Sequence, residues 1–142
     1  MNKLNRKEIE QILPHRDPFL FIDEITEYVP GEYAKGVKHV REDEYYFKGH
    51  FPGNPIMPGV IIIETLAQVG AVMMLTSDKF KGKMVLFAGI DKVRFKRIVK
   101  PGDILELEVK ILNLKLNIGK GAGEARVNGE LACSAELLFS VV

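Results

Sequence analysis

Apolar and polar residues change their rhythm several times along this chain, and each change predicts an element. Asn5-Arg6-Lys7-Glu8 has the form of a capping box, with Asn where Ser or Thr is more usual. A short helix should run from there to about Leu13, where Pro14 stops it. Phe19–Val29 reads as a strand, Pro30-Gly31 as a turn, and Tyr33–Arg41 as the returning strand of a hairpin. Glu42–Met57 is irregular, with Pro52, Gly53 and Pro55 crowded together. Pro58-Gly59 then opens a segment ending near Leu75 that is apolar nearly all round. Proline suits a first helical turn because its missing N–H has no partner there, and a helix apolar on all faces must be enclosed. After the polar loop Ser77–Lys83, the remaining runs read as strands: Met84–Asp91, Lys92–Val99, Asp103–Asn117, Gly119–Val127 and Glu130–Val142. Pro101-Gly102 and Asn128-Gly129 are the turns, the second a type I′ pair.

A hairpin, one long buried helix and a run of antiparallel strands make an α+β pattern. A strongly curved antiparallel sheet wrapped around one central helix satisfies it. One sheet covers one side of such a helix, so a second copy is expected to cover part of the rest, as a dimer. The chain of 142 residues is 46% hydrophobic, enough for one domain, 1–142, with a real core. Its net charge of +1 gives no global signature of nucleic-acid or membrane-surface binding. The segment Gly59–Leu75 is shorter than the ~20 residues of a bilayer span and carries Glu64, Thr65 and Gln68, which argues for a buried helix without membrane insertion. The first sixteen residues lack the apolar region of a secretory signal. Cys133 stands alone, so no internal disulfide forms; it reads as a small buried hydrophobe and fits a cytoplasmic location.

Candidate chemistry concentrates around the central helix. Glu64 and Gln68 are four apart and share a face, among Ile61, Ile63, Leu66, Ala67 and Val72. A carboxyl in such surroundings must be paired or stay partly protonated, and a partly protonated carboxyl near neutral pH is what a general acid needs. His50 lies in the loop that leads into the helix, where prolines at 52, 55 and 58 restrict φ and can hold an imidazole in one orientation. Gly59 sits at the helix N-terminus, where unpaired N–H groups can receive a developing oxyanion. His15 and His39 read as structural, and no His/Cys spacing suggests a metal site.

The run Gly49-His50-Phe51-Pro52-Gly53-Asn54-Pro55-Ile56-Met57-Pro58-Gly59-Val60, followed by Glu64 and Ala67-Gln68, resembles the hot-dog-fold 3-hydroxyacyl-[acyl-carrier-protein] dehydratases of bacterial fatty-acid synthesis. The resemblance extends to Leu13-Pro14-His15-Arg16, Pro18-Phe19-Leu20, Ile22-Asp23 and Lys100-Pro101-Gly102-Asp103, and so covers nearly the whole chain. It implies dehydration of a (3R)-3-hydroxyacyl thioester to the trans-2-enoyl product, without a cofactor beyond the phosphopantetheine that carries the substrate. It implies His50 and Glu64 as catalytic residues contributed by opposite subunits of a dimer, and a trimer of dimers as the larger assembly. The Gly59 N–H would polarise the thioester carbonyl, the Ile56 carbonyl would fix the His50 tautomer, and Gln68 would steady Glu64. Glu64 stands where a related dehydratase/isomerase subgroup has Asp, which points to the non-isomerising type.

An acidic acyl carrier protein would need a basic surface. Lys92, Arg94, Lys96, Arg97 and Lys100 crowd one segment, with Lys92, Arg94 and Lys96 alternating as if on one strand face, and Lys79, Lys81 and Lys83 near in sequence. A solvated strand face explains the same charges. Phe87, Met73 and Met74 are the candidate lining of an acyl tunnel. Two other readings stay open: a hot-dog acyl thioesterase, which would not require the His-Phe-Pro loop, and a non-catalytic acyl-binding domain, which would not require His50 and Glu64. The (R)-specific enoyl hydratases place their Asp before their His, the reverse of the order here.

Overall fold

A computed structural model describes residues 2–142. Helix α1 (Arg6–Ile12) starts on the expected capping box: the Asn5 side chain accepts from the Glu8 N–H, and the Glu8 carboxylate accepts from the Asn5 N–H, each at 2.9 Å. The chain turns extended at Leu13. Strands β1 (Glu24–Val29) and β2 (Tyr33–His39) form the expected hairpin. A 3-10 turn at Tyr45–Lys48 and a loop lead to α2 (Gly59–Leu75), which has the bounds its apolar run and Pro58 predict. Four strands follow: β3 (Val85–Phe95), β4 (Ile104–Lys115), β5 (Ile118–Val127) and β6 (Glu130–Val141). They join the hairpin in one six-stranded antiparallel sheet of order β1-β2-β4-β5-β6-β3. Asn128 and Gly129 both take positive φ, 51° and 81°, as the type I′ turn requires.

The sheet wraps α2, which touches all six strands and α1. Where helix and sheet approach most closely, Gly70 has no substitute: a Cβ there would lie 2.3 Å from Cζ of Phe139 on β6. Val69, Val72 and Met73 are 0% exposed, at roughly 1.5–3 kcal/mol of burial each. From Ile62 to Leu75 only Glu64 is not fully buried. Enclosure of the helix is therefore achieved within one chain, and it does not by itself demand a second copy. Exposed apolar side chains also line β3, where Leu86, Ile90 and Phe95 are 48%, 51% and 55% exposed. Among the described residues β3 pairs only with β6, so its other edge is bare. An eleven-residue apolar edge is a template for pairing with another chain.

Three strand expectations are corrected. Phe19–Ile22 does not pair along the sheet; its backbone is bonded by side chains instead, as described below, and only the Asp23 N–H reaches β2, at the Val37 carbonyl (3.0 Å). Met84–Asp91 and Lys92–Val99 are one strand, β3, bent by irregularities between Phe87 and Gly89 and between Asp91 and Arg94. Lys92 takes φ 52° in the second of these, so Lys92, Arg94 and Lys96 do not follow one unbroken alternation, and Lys96 lies beyond the strand end. The reach of β4 to Asn117 is shortened by Leu116, whose φ of 57° begins a tight turn into β5.

Candidate active site

The His50 loop is braced by its own backbone. Phe51 and Asn54 exchange N–H···O bonds of 3.1 and 2.9 Å, and the Ile56 N–H returns to the His50 carbonyl at 3.0 Å. Met57 donates to Val99 at 2.8 Å, anchoring the loop to the chain beyond β3. Within this frame His50 Nδ1 lies 2.8 Å from the Ile56 carbonyl oxygen. A carbonyl only accepts, so Nδ1 carries the proton and a neutral ring has a bare Nε2, the form of a general base. The ring stacks on Phe51 at 4.0 Å between centroids, which further limits its rotation.

Glu64 is held differently, by groups distant in sequence. Gln68 Nε2 donates to Glu64 Oε2 at 3.0 Å and to the Phe19 carbonyl at 2.9 Å, while Gln68 Oε1 accepts from the Phe21 N–H at 2.9 Å. Gln68 is itself buried, so the amide is a staple between α2 and the segment 19–21. That segment is pinned from the other side by Arg6, which donates to the carbonyls of Leu20 (2.7 Å) and Ile22 (3.0 Å). Lys38, buried and paired with Glu44 at 2.6 Å, sits over the Phe21 ring. Burial pushes the Glu64 carboxyl above its ordinary value, against the opposing pull of Gln68 and His15. The carboxyl opens on a cavity of about 220 Å³ with apolar walls that include Phe19, Ala67, Ala71, Leu86, Phe87 and Phe139. A half-buried carboxyl facing an apolar slot can give a proton to a group on an acyl chain lying in it.

Gly59 opens α2, and no side chain caps this helix end. The Ile61 and Ile62 amides bond back to Pro58. The space over Gly59 is taken by Phe95: a Cβ at 59 would lie 2.6 Å from its ring. A side chain at 59 would have to displace the Phe95 ring, and the uncapped N–H beside it remains able to meet an oxyanion.

His50 is not among the residues lining the cavity at Glu64. Of the proposed tunnel residues, Phe87 lines it, whereas Met73 and Met74 are packed into the core, 0% and 1% exposed. His15, expected to be structural, lines the same cavity with Nε2 3.7 Å from Glu64 Oε2. Its position next to Pro14 gave no sign of this, because the contact depends on how the segment after α1 folds back over α2. Among the basic residues, Lys92 pairs with Glu136 (3.5 Å) and Arg97 with Glu130 (2.9 Å). Arg94, Lys96 and Lys100 are exposed, and among the described residues no carboxylate pairs with them. Cys133 is buried, and burial pushes its thiol up to about 11, the behaviour of an inert core residue. A larger groove of about 840 Å³ lies beside Leu75 and Thr76, away from both His50 and Glu64.

Comparison with known proteins converges on one family. Residues 13–136 match the FabA-like domain. The 3-hydroxyacyl-[acyl-carrier-protein] dehydratase FabZ of Caldicellulosiruptor bescii is 55% identical over 137 residues, 96% of this chain and 98% of that protein. The protein of the same name from Staphylococcus epidermidis is 57% identical over 134 residues, 94% and 92% of the two chains. Among solved structures, the dehydratase heterocomplex ApeI:P from Xenorhabdus doucetiae superposes with a TM-score of 0.79 at 18% identity, covering 93% of this chain and 89% of its own, a likeness of fold. The curved sheet around one helix is the hot-dog fold.

Proposed function

Because this chain belongs to the FabA-like family and, within it, to the 3-hydroxyacyl-[acyl-carrier-protein] dehydratases, we propose that His50 and Glu64 divide the elimination between them. The enzyme is a hydro-lyase of fatty-acid elongation: it removes water from a 3-hydroxyacyl thioester to give the 2-enoyl thioester. His50 Nε2 takes the α-proton, and the electrons of the Cα–H bond form the Cα=Cβ double bond. Negative charge gathers transiently on the thioester oxygen, which accepts from the Gly59 N–H. The Cβ–O bond breaks as Glu64 gives its proton to the departing hydroxyl, and water leaves. Proton exchange with solvent restores both groups, and no step draws on a cofactor. The observation that carries this reading is the Glu64 carboxyl, held by Gln68 and kept from ready ionisation by its apolar cavity.

In this reading the two groups come from different chains. The bare apolar edge of β3 supplies the pairing surface, and the cavity at Glu64 is walled partly by that same strand while lacking His50. A trimer of such dimers is the larger assembly that the family resemblance suggests. The substrate arrives on acyl carrier protein in the cytoplasm, and Arg94, Lys96 and Lys100, with Lys92 and Arg97 beside them, supply the basic surface that an acidic carrier would meet. Among the described residues no helix is long and apolar enough to cross a membrane. Incubation with a 3-hydroxyacyl carrier-protein substrate should give the enoyl thioester, seen by its absorbance and by the loss of one water in mass. Release of free acid would indicate a thioesterase and overturn the assignment.

A further inference from the structure

A carboxylic acid that protonates a leaving group must carry its proton on the oxygen facing that group. Two nitrogens approach Glu64, and both approach Oε2: Gln68 Nε2 at 3.0 Å and His15 Nε2 at 3.7 Å. Among the described residues nothing bonds Oε1. The Gln68 amide is committed to Phe19, Phe21 and Glu64, so its orientation is fixed. His15 completes the arrangement from the opposite element, the segment that follows α1. Its other nitrogen, Nδ1, is buried without a hydrogen-bond partner.

Resting on the reading of Glu64 as the acid, we propose that His15 is a positioning residue for the dehydration: it directs its Nε2 N–H at Glu64 Oε2 and, with Gln68, keeps the acid proton on Oε1. A proton and two aimed N–H groups do not share one oxygen, so Oε1 is the donor to the hydroxyl. The remaining surroundings offer no competing charge. β3 and β6 contribute Val85, Leu86, Phe87 and Phe139 to the cavity, and α2 contributes no ionisable group besides Glu64. The nearest cation in sequence, Arg16, is occupied by the carbonyls of Leu13 (2.8 Å) and His15 (2.6 Å).

The test uses two variants in the assembled enzyme, each checked for unchanged oligomeric state and melting temperature. His15→Phe keeps a flat ring and removes the N–H; His15→Gln keeps an N–H donor of similar reach that does not titrate. An N–H aimed at a carboxylate favours its charged form, so its loss raises the Glu64 pKa. For His15→Phe, kcat should fall severalfold, less than the loss of a full hydrogen bond because the contact is 3.7 Å, with KM little changed. The alkaline limb of the rate profile, which reports loss of the acid's proton, should move to higher pH. The Glu64 carboxyl followed by carbon NMR in labelled enzyme should move with it, and His15→Gln should reverse all three effects. An unmoved NMR titration in His15→Phe, or equal losses in the two variants, would overturn the contact. A shifted titration with unchanged kcat would overturn the role of His15 in the reaction and leave the reading of Glu64 as the acid standing.

Discussion

The two halves of the proposed site are built on opposite plans. His50 is held by atoms within six residues of itself: the Ile56 carbonyl at its ring, the Ile56 amide at its own carbonyl, and the Phe51–Asn54 pair between them. Glu64 is held by Gln68, whose other bonds reach 47 and 49 residues back along the chain, and is approached by His15 from a similar distance in sequence. A base must be aimed, and a short proline-rich loop can aim it locally. An acid must also be kept from ionising, which takes an apolar enclosure, and an enclosure is assembled from distant segments.

That contrast can be broken most sharply by the pair His50→Ala and Glu64→Gln. His50→Ala should cost at least ~10² in rate whatever the leaving group, because every elimination needs the base. Glu64→Gln should be nearly as damaging for a 3-hydroxyacyl thioester, and should abolish or displace the alkaline limb. With a 3-fluoroacyl thioester, whose leaving group needs no protonation, Glu64→Gln should cost far less while His50→Ala still costs the full amount. Steady-state rates on the two substrates decide it; equal losses in Glu64→Gln would make Glu64 a support for the base or for a water.

A smaller effect is expected one step away from the chemistry. Gln68→Leu leaves the Phe21 N–H and the Phe19 carbonyl without their partner, at roughly 1–3 kcal/mol for each group left unsatisfied in the interior. Denaturant unfolding should show that loss. The rate should fall less than in Glu64→Gln, because the acid is still present though less well aimed, and its alkaline limb should move up because a donor that favours ionisation is gone. A variant with full stability and an unmoved limb would mean that segment 19–21 is held without the amide.

The same contrast explains what was legible in the amino-acid sequence. The capping box at Asn5, the bounds Gly59–Leu75, the Asn128-Gly129 turn and the His50 loop are local devices, and each is found as expected. Phe19–Ile22 looks like strand because it is apolar and aromatic, yet its backbone groups are taken by Gln68 and Arg6, which no periodicity reveals. The bend in β3 at Lys92 was hidden for a similar reason: alternating Lys and Arg suit a regular strand, and only pairing with β6 shows the break. Likewise, the surface left open for a partner is not the helix, which one chain encloses, but the exposed edge of β3.

The central claim is that a complete site joins His50 of one chain to Glu64 of another. Subunit complementation tests it directly. His50→Ala and Glu64→Ala chains, each nearly inactive alone, are refolded together, and heterodimers are purified on two different affinity tags. If the site is shared, each heterodimer holds one site with both residues intact and one with neither, and should recover turnover from that one intact site. Verified heterodimers as inactive as their parents would show that each chain builds its own site, and the account would fail.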